Sequence, residues 1–163
     1  RNQSLEEIAE KAMALGLDAV QLHGRVEELD WAKFLPGVFV IRVFHMTPDE
    51  EKNAPTLHDA LRPGYHHIIL LDTATQGGQD GGSGVSFNWS HVSNIPVPFL
   101  IAGGLTPDNV QEALTQSLAA GVDTSSGVET EGQKDTAKIT AYVENARRVL
   151  SKEYNEKPPP LQS

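Results

Sequence analysis

The chain has 163 residues, which suits one domain or part of a larger one. Its formal net charge of −9 argues against general binding to nucleic acids or membrane surfaces, but it leaves a local site for a small anionic ligand open. The absence of cysteine excludes disulfides, thiolate zinc sites and a cysteine nucleophile within these residues, and it fits a reducing, cytoplasmic location.

Helical and strand patterns alternate along the chain. Ser4 and Glu7 form a capping-box pair before an apolar helical repeat, and Gly16 follows it, so a first helix is predicted at residues 5–15. Short apolar runs predict five strands at residues 17–24, 38–44, 66–72, 98–104 and 121–129. Further helices are predicted at residues 26–35, 55–62, 107–117 and 135–154, with one or two helical turns at 87–94. The proline-rich residues 155–163 are predicted to be disordered, which leaves residues 1–154 as the domain.

The predicted strands are apolar on both faces, as in a parallel sheet covered by helices. Two α/β architectures fit this alternation, a doubly wound open sheet and a (β/α)8 TIM barrel. The barrel is favoured because each strand is followed by polar or glycine residues, and barrel enzymes place their chemistry at that rim. A full barrel needs roughly 250 residues, so the sequence predicts an incomplete barrel, about two thirds of one.

Two loops of small residues follow the last two predicted strands. Gly103 and Gly104 allow a ligand to approach the main chain, and Thr106 can cap a helix that begins at Pro107. Free N–H groups at such a helix start bind anions, although an ordinary tight turn fits this stretch equally well. The loop "DTSSG" after the next predicted strand offers further hydroxyl and N–H donors, so a phosphate site is favoured over an ordinary turn. The candidate phosphate-binding residues are Gly103, Gly104, Ser125, Ser126 and Gly127.

Asp72 ends an apolar strand, where a partly desolvated carboxyl group suits a general acid. The alternative is that Asp72 caps the glycine-rich loop that follows, residues 73–84. This loop includes Gly82 and Gly84 and indicates a lid over a ligand, or else a flexible surface excursion.

The other candidate ligand-binding residues are spread over three strands. Gln21 and His23 alternate along one strand and so point the same way. His23 either contacts a ligand or only forms hydrogen bonds with neighbouring residues. Arg42 needs an anionic partner, which is either a structural carboxylate or a substrate carboxylate. Asp123 is either a ligand contact or a buried structural carboxylate. His45 shows no metal-ligand spacing with the other histidines, and no metal site is predicted.

In combination, the segments "DAVQLHG", "IRVF", "LLDT" with "GGSG" and "FNW", "FLIAGGLTPDNV" and "GVDTSSGVETEGQKD" resemble the phosphoribosylanthranilate isomerases. The resemblance runs from about residue 4 to residue 150, and the last two segments in this order are specific. It implies a (β/α)8 TIM barrel in which the five predicted strands correspond to strands 4 to 8, with strands 1 to 3 absent.

The resemblance further implies an Amadori rearrangement in tryptophan biosynthesis that uses no cofactor. The phosphorylated substrate N-(5-phosphoribosyl)anthranilate becomes 1-(2-carboxyphenylamino)-1-deoxyribulose 5-phosphate when an acid protonates the ribose ring oxygen and a base removes the C2 proton. By motif position, Asp72 is the acid. The other implied contacts are phosphate at Gly103, Gly104, Ser126 and Gly127, a ribose hydroxyl at Asp123, and the substrate near Gln21 and His23.

The sequence departs from the family pattern in two ways. The family's base is a cysteine in a K-x-C-G motif at the end of the first strand, and an arginine after the second strand binds the anthranilate carboxylate. Neither region is present, and Arg42 belongs to another strand. Asn88 also stands where aspartate is usual before Trp89, which weakens a capping interaction.

The chain starts at Arg1 rather than at methionine. We therefore expect an isomerase segment, inactive by itself, from a single-function protein or from one fused to other tryptophan-pathway domains. Two other functions stay open: a non-catalytic module that binds a sugar phosphate, and another phosphate-binding barrel enzyme.

Overall fold

The computed structural model describes residues 3–23, 35–47, 61, 67–73 and 88–156. The helices are α1 Leu5–Leu15, α2 Val110–Ser117 and α3 Thr136–Glu156, with short 3-10 turns at Trp89–Val92 and Ser126–Val128. The strands are β1 Ala19–Leu22, β2 Phe39–His45, β3 Ile68–Asp72, β4 Phe99–Ala102, β5 Gly121–Val122, β6 Glu129–Thr130 and β7 Gln133–Lys134. Most of the predicted helices at 26–35 and 55–62 lies outside the described residues, as do Gly82, Gly84 and the proline-rich end.

Strands β1 to β5 form one parallel sheet in the order β1-β2-β3-β4-β5, and β6 and β7 form a separate antiparallel hairpin. The α/β class predicted from the sequence is therefore confirmed. Each strand lies beside its predecessor in the chain, as in a barrel wall, whereas a doubly wound sheet reverses its strand order partway. The C-terminal ends of the five strands consequently lie along one edge of the sheet.

The sheet buries apolar side chains on both faces, as the continuous apolar runs predicted. On one face, Phe44, Ile69 and Ile101 belong to the large core that includes residues of α2 and α3. On the other face, Val43, Leu70 and Ala102 form a smaller cluster. Alternation along each strand assigns every strand residue to one of these two faces. Within the described residues, no helix combines the length and apolar composition needed to cross a membrane.

Local signals determine how α1 begins and ends. The Ser4 hydroxyl accepts a hydrogen bond from Glu7 N, and the Glu7 carboxylate accepts one from Ser4 N, which satisfies two N–H groups at the start of the helix. Gly16 ends the helix in the left-handed region at φ 61°. Asn88 also acts as a cap, because its side-chain oxygen accepts from Ser90 N at 3.1 Å.

Two predicted elements differ from the structure. Helix α2 begins at Val110 instead of Pro107, because a turn precedes it in which the Asn109 side chain accepts from Thr106 N. The predicted strand at 121–129 ends after Val122, and the chain then enters the 3-10 turn and the β6–β7 hairpin. Both boundaries depend on contacts between loops, which local patterns do not contain.

Candidate functional site

The C-terminal ends of β1 to β3 bring polar side chains together on one face of the sheet. Gln21 pairs in register with Ile41, and His45 pairs with Asp72, so alternation places Gln21, His23, His45 and Asp72 on the face of the smaller apolar cluster. The Gln21 and His23 side chains meet at 3.0 Å. The His23 and His45 rings lie 6.3 Å apart between centroids.

His45 lies against Asp72 and was missed by the sequence reasoning. Its Nδ1 atom lies 3.4 Å from Oδ2 of Asp72, with side-chain exposures of 37% and 22%. The contact follows from the register, because these two residues end neighbouring strands as direct partners. The signal available in the sequence was the position of His45 at the end of the run "VFVIRVFH", two residues beyond Val43 on the same face.

Arg42 does not join this group, which corrects the prediction that placed it at the site. Arg42 pairs with Leu22 and Ile69 and shares its face with Val40 and Phe44, which pack towards the helices. Its guanidinium lies 5.1 Å from the centre of the Phe44 ring, a cation–π distance. Buried at 9% exposure, Arg42 is directed to the opposite face from Asp72 by strand alternation.

The loop after β4 has the main-chain geometry that the glycine pair suggested. Gly103 and Gly104 have φ values of 92° and 63°, in the region that favours glycine. Asn109 closes the loop: its Oδ1 accepts from Thr106 N at 2.8 Å and its Nδ2 donates to Gly104 O at 3.0 Å. Thr106 is not the cap that the sequence predicted. Asn109 is the N-cap residue of α2, and its side chain accepts from the backbone N–H of Thr106 instead of from an N–H of the helix.

The end of β3 is hydrogen-bonded to this loop. The buried Thr73 hydroxyl lies 2.9 Å from Ala102 O and 3.1 Å from Gly103 O, and Thr73 N donates to Ala102 O. Asp72 also pairs in register with Ala102. The residue that carries the candidate acid is thus adjacent, along the rim, to the candidate phosphate loop.

The loop after β5 packs directly on the loop after β4. Thr124 Oγ1 donates to Leu105 O at 2.6 Å, and a Cβ atom at Gly127 would lie only 1.8 Å from the same carbonyl oxygen. Asp123 is exposed, which excludes the reading of a buried structural carboxylate, and its N–H donates to Ile101 O. Four of the five candidate phosphate-binding residues have no acceptor for their N–H groups in the described part of the chain: Gly103, Gly104, Ser126 and Gly127.

Lys134 supports the serine loop and was also missed. A turn at Glu131 and Gly132, both with positive φ, pairs Lys134 with Glu129 across the hairpin. The Lys134 ammonium donates to Ser125 O at 2.9 Å, to Ser125 Oγ at 3.1 Å and to Glu129 Oε1 at 2.5 Å. A cation therefore lies directly against the loop whose N–H groups are the candidate phosphate donors.

The site as described contains no candidate metal centre. Within the residues that the structure covers, no group of three or more histidine, aspartate and glutamate side chains is arranged to hold a metal ion. Gly82 and Gly84, which the sequence predicts to belong to a lid, lie in the part of the chain that the structure does not describe.

Comparison with known proteins identifies one family over most of the chain. The family model described as N-(5'phosphoribosyl)anthranilate (PRA) isomerase matches residues 1–145. A multifunctional tryptophan biosynthesis protein from Schizosaccharomyces pombe is 43% identical over 92% of this chain and 18% of its own length. An N-(5'-phosphoribosyl)anthranilate isomerase from Eremothecium gossypii is 40% identical over 91% of this chain and 70% of its own length.

A solved structure agrees with these relatives. The crystal structure of phosphoribosyl anthranilate isomerase from Thermotoga maritima matches with a TM-score of 0.70 and 33% identity, over 90% of this chain and 70% of that one. The chain therefore spans less than a quarter of the multifunctional relative and 70% of the single-function ones compared.

Proposed function

The chain belongs to the N-(5'-phosphoribosyl)anthranilate isomerase family, and we propose that the protein containing it catalyses the Amadori rearrangement of N-(5-phosphoribosyl)anthranilate to 1-(2-carboxyphenylamino)-1-deoxyribulose 5-phosphate. The observation that carries this proposal is the rim formed by β3, β4 and β5. There, Asp72 is next to two hydrogen-bonded loops that have open main-chain N–H groups. A phosphorylated aldose with a basic ring oxygen matches an acid beside an anion-binding loop.

In the proposed mechanism, the substrate phosphate binds at the two loops and fixes the ribose over the rim. The N–H groups of Gly103, Gly104, Ser126 and Gly127 donate to its oxygens, with Ser125 contributing its hydroxyl. Binding energy at the unreactive phosphate then serves to orient the reacting ring.

Asp72 in its neutral form then donates its proton to the ribose ring oxygen, which breaks the bond from C1 to that oxygen and leaves an iminium ion. A base removes the proton at C2, and the electron pair of that C–H bond neutralises the iminium to give an enolamine, which tautomerises to the ketose. Asp123 binds a ribose hydroxyl, and Gln21 and His23 lie beside the substrate. Gly82 and Gly84 form part of a lid that excludes water.

We assign the base to a part of the protein outside these 163 residues, because the chain contains no cysteine and no other residue matches the family's base motif. On this proposal, β1 to β5 correspond to strands 4 to 8 of a (β/α)8 barrel formed by residues 1–156 together with three further strands. The predicted boundary at residue 154 moves to 156, because α3 includes residues 155 and 156. Residues 1–163 produced alone would then bind phosphate without turning over substrate. Measurable isomerisation by that fragment would refute this assignment.

The multifunctional tryptophan biosynthesis proteins among the relatives support a fusion to other enzymes of that pathway. We place the protein in the cytoplasm, where such soluble biosynthetic enzymes work.

The acid is tested by Asp72→Asn in the full-length protein, with substrate consumption followed by anthranilate fluorescence. Loss of a general acid lowers kcat by about 10²–10⁴. The matched control is Asp18→Asn, which makes the same chemical change at an exposed position before β1, at the opposite rim. Turnover by Asp72→Asn close to the parental rate would eliminate Asp72 as the acid.

The phosphate loop is tested separately by Gly104→Asp, which adds a carboxylate at the proposed phosphate position. A Cβ at residue 104 meets no atom within 4 Å, so the fold tolerates the added volume apart from the left-handed backbone. We expect a higher KM and weaker inhibition by inorganic phosphate. An unchanged KM and an unchanged phosphate inhibition constant would place the phosphate elsewhere.

A further inference from the structure

His45 lies against the proposed acid, Asp72, but has no role in the proposed reaction. Each turnover transfers the Asp72 proton to the ring oxygen, so Asp72 must regain a proton before the next substrate can react. His45 Nδ1 lies 3.4 Å from Asp72 Oδ2, and the two residues are direct register partners at the ends of neighbouring strands. Contacts of this kind often tighten when substrate binds.

The surroundings of His45 suit proton exchange with solvent. Its side chain is 37% exposed, whereas the Asp72 side chain is 22% exposed, so the histidine is the more accessible of the two. A neutral or protonated imidazole exchanges protons with water near neutral pH more readily than any other side chain. The order from solvent inwards is therefore water, His45 and then Asp72.

The described titratable groups that face His45 come from both neighbouring strands. Asp72 faces it from β3, and the His23 ring, directly after β1, lies 6.3 Å away, with Gln21 bonded to His23. On its own strand, the charged residue Arg42 is directed to the opposite face, against Phe44. Asp72 is thus the acidic group in the described part of the chain that can accept a proton from His45 directly.

We propose that His45 is a positioning residue that orients the Asp72 carboxyl group and returns a proton to it after each turnover. This inference rests on the proposed function. The imidazolium transfers its Nδ1 proton to Oδ2 of the Asp72 carboxylate, which restores the neutral acid. The neutral imidazole then takes a replacement proton from water or buffer, while the base releases the C2 proton to solvent, so the isomerisation consumes no net proton.

The test compares His45→Ala with the parent in the full-length protein at saturating substrate, with and without added imidazole. We expect kcat to fall about tenfold or more while KM changes little, since the proposed phosphate loops follow β4 and β5 whereas His45 ends β2. Added imidazole should restore most of the lost kcat in His45→Ala and leave the parent unchanged. A merely structural histidine would not respond to a small base in solution.

Two controls keep the outcomes distinct. His67→Ala removes an exposed histidine at the opposite end of β3, and its kcat should not respond to imidazole. Inhibition of His45→Ala by inorganic phosphate at the parental concentration shows that the variant is folded. Parental kcat in His45→Ala, or reduced kcat with no response to imidazole, overturns the role of His45. A parent without isomerase activity overturns the proposed function instead.

Discussion

Thr124 Oγ1 donates a 2.6 Å hydrogen bond to the carbonyl oxygen of Leu105, and this contact joins the loops that follow β4 and β5. Gly127 packs on the same carbonyl oxygen so closely that no side chain fits between them. The two loops therefore share one packing arrangement, and a disturbance of either loop should affect both halves of the proposed phosphate site.

Alanine substitutions at Gly127 and Gly104 should reduce the unfolding free energy by different amounts. In Gly127→Ala the new Cβ would lie 1.8 Å from Leu105 O, so backbone must move, and we expect a loss of about 3 kcal/mol in unfolding free energy with a raised KM. In Gly104→Ala the Cβ meets open space, and only the left-handed φ of 63° is unfavourable, at a cost of about 1 kcal/mol.

Denaturant unfolding of the two variants and the parent measures this difference. The comparison is internally matched, because both changes add one methyl group to a loop glycine at the same rim. Equal stability losses, or a larger loss for Gly104→Ala, would contradict the packing of Gly127 against Leu105.

Lys134 should influence phosphate binding through Ser125. Lys134→Met removes the donor to the Ser125 carbonyl and hydroxyl oxygens and also a positive charge beside the loop. We expect KM for the phosphorylated substrate to rise about threefold to tenfold, with kcat little changed, because the ammonium is half exposed and its bonds are partly screened. Lys134→Arg keeps the charge, so its KM should lie between those of the parent and Lys134→Met.

The control for Lys134 is Lys11→Met, which makes the same charge change on an exposed face of α1. Inhibition by inorganic phosphate, measured at two salt concentrations, separates the local contact from the general charge effect. If Lys11→Met raised KM as much as Lys134→Met, the effect would belong to net charge and not to the Ser125 loop.

The parts of the fold that sequence predicted are those encoded within a few residues. The capping box of Ser4 and Glu7 spans one helical turn, and Gly16 ends α1 by its own conformational freedom, so both ends of that helix were predicted correctly. The five parallel strands followed from short apolar runs with β-branched residues.

The parts that sequence did not predict depend on contacts between distant segments. The start of α2 depends on Asn109 reaching back to Gly104, and β5 is short because the chain turns to pack Gly127 on Leu105. His45 gains its partner only through the register of β2 against β3. For Arg42, the sequence predicted an anionic partner but did not assign a face of the strand, and strand alternation places its side chain towards the helices, against Phe44.

Asp135 should make the start of α3 sensitive to acid. Its pKa is lowered chiefly by the hydrogen bond from Thr130 Oγ1, with further lowering by the backbone N–H groups of Lys138 and Ala137. A carboxylate with a lowered pKa contributes stability above its unfolded-state pKa, near 4, and this stability is lost as pH falls through the folded-state pKa.

Asp135→Asn should therefore be less stable than the parent at neutral pH and should lose less stability on acidification. Denaturant unfolding at neutral and at acid pH, followed by circular dichroism, measures both quantities. Glu144→Gln, at an exposed acid further along α3, is the control and should follow the parental curve. A parental acid profile in Asp135→Asn would show that the Asp135 carboxylate does not contribute to acid sensitivity.

Tyr142 is a buried tyrosine on α3 whose hydroxyl has no hydrogen-bond partner in the described part of the chain. Burial raises the pKa of its phenol well above the usual value, and the charge of Asp123 raises it further. Because an unpaired buried hydroxyl is unfavourable, we expect Tyr142→Phe to increase the unfolding free energy by about 1 kcal/mol at neutral pH.

The same pKa shift predicts how Tyr142 responds to alkali. Above pH ~10 the phenol ionises in the unfolded state, whereas in the folded state it keeps its proton. The part of the unfolding free energy that depends on the Tyr142 proton is therefore fully present below pH ~10 and is lost as the pH rises towards the folded-state pKa. Tyr142→Phe should remove this part of the alkaline loss. Asp123→Asn should reduce the alkaline loss of stability, since this substitution removes the nearby charge.

Denaturant unfolding at neutral and alkaline pH, together with the difference in tyrosinate absorbance between parent and Tyr142→Phe, measures both effects. Identical alkaline profiles for parent and Tyr142→Phe would mean that the phenol reaches solvent or a partner in the full-length protein.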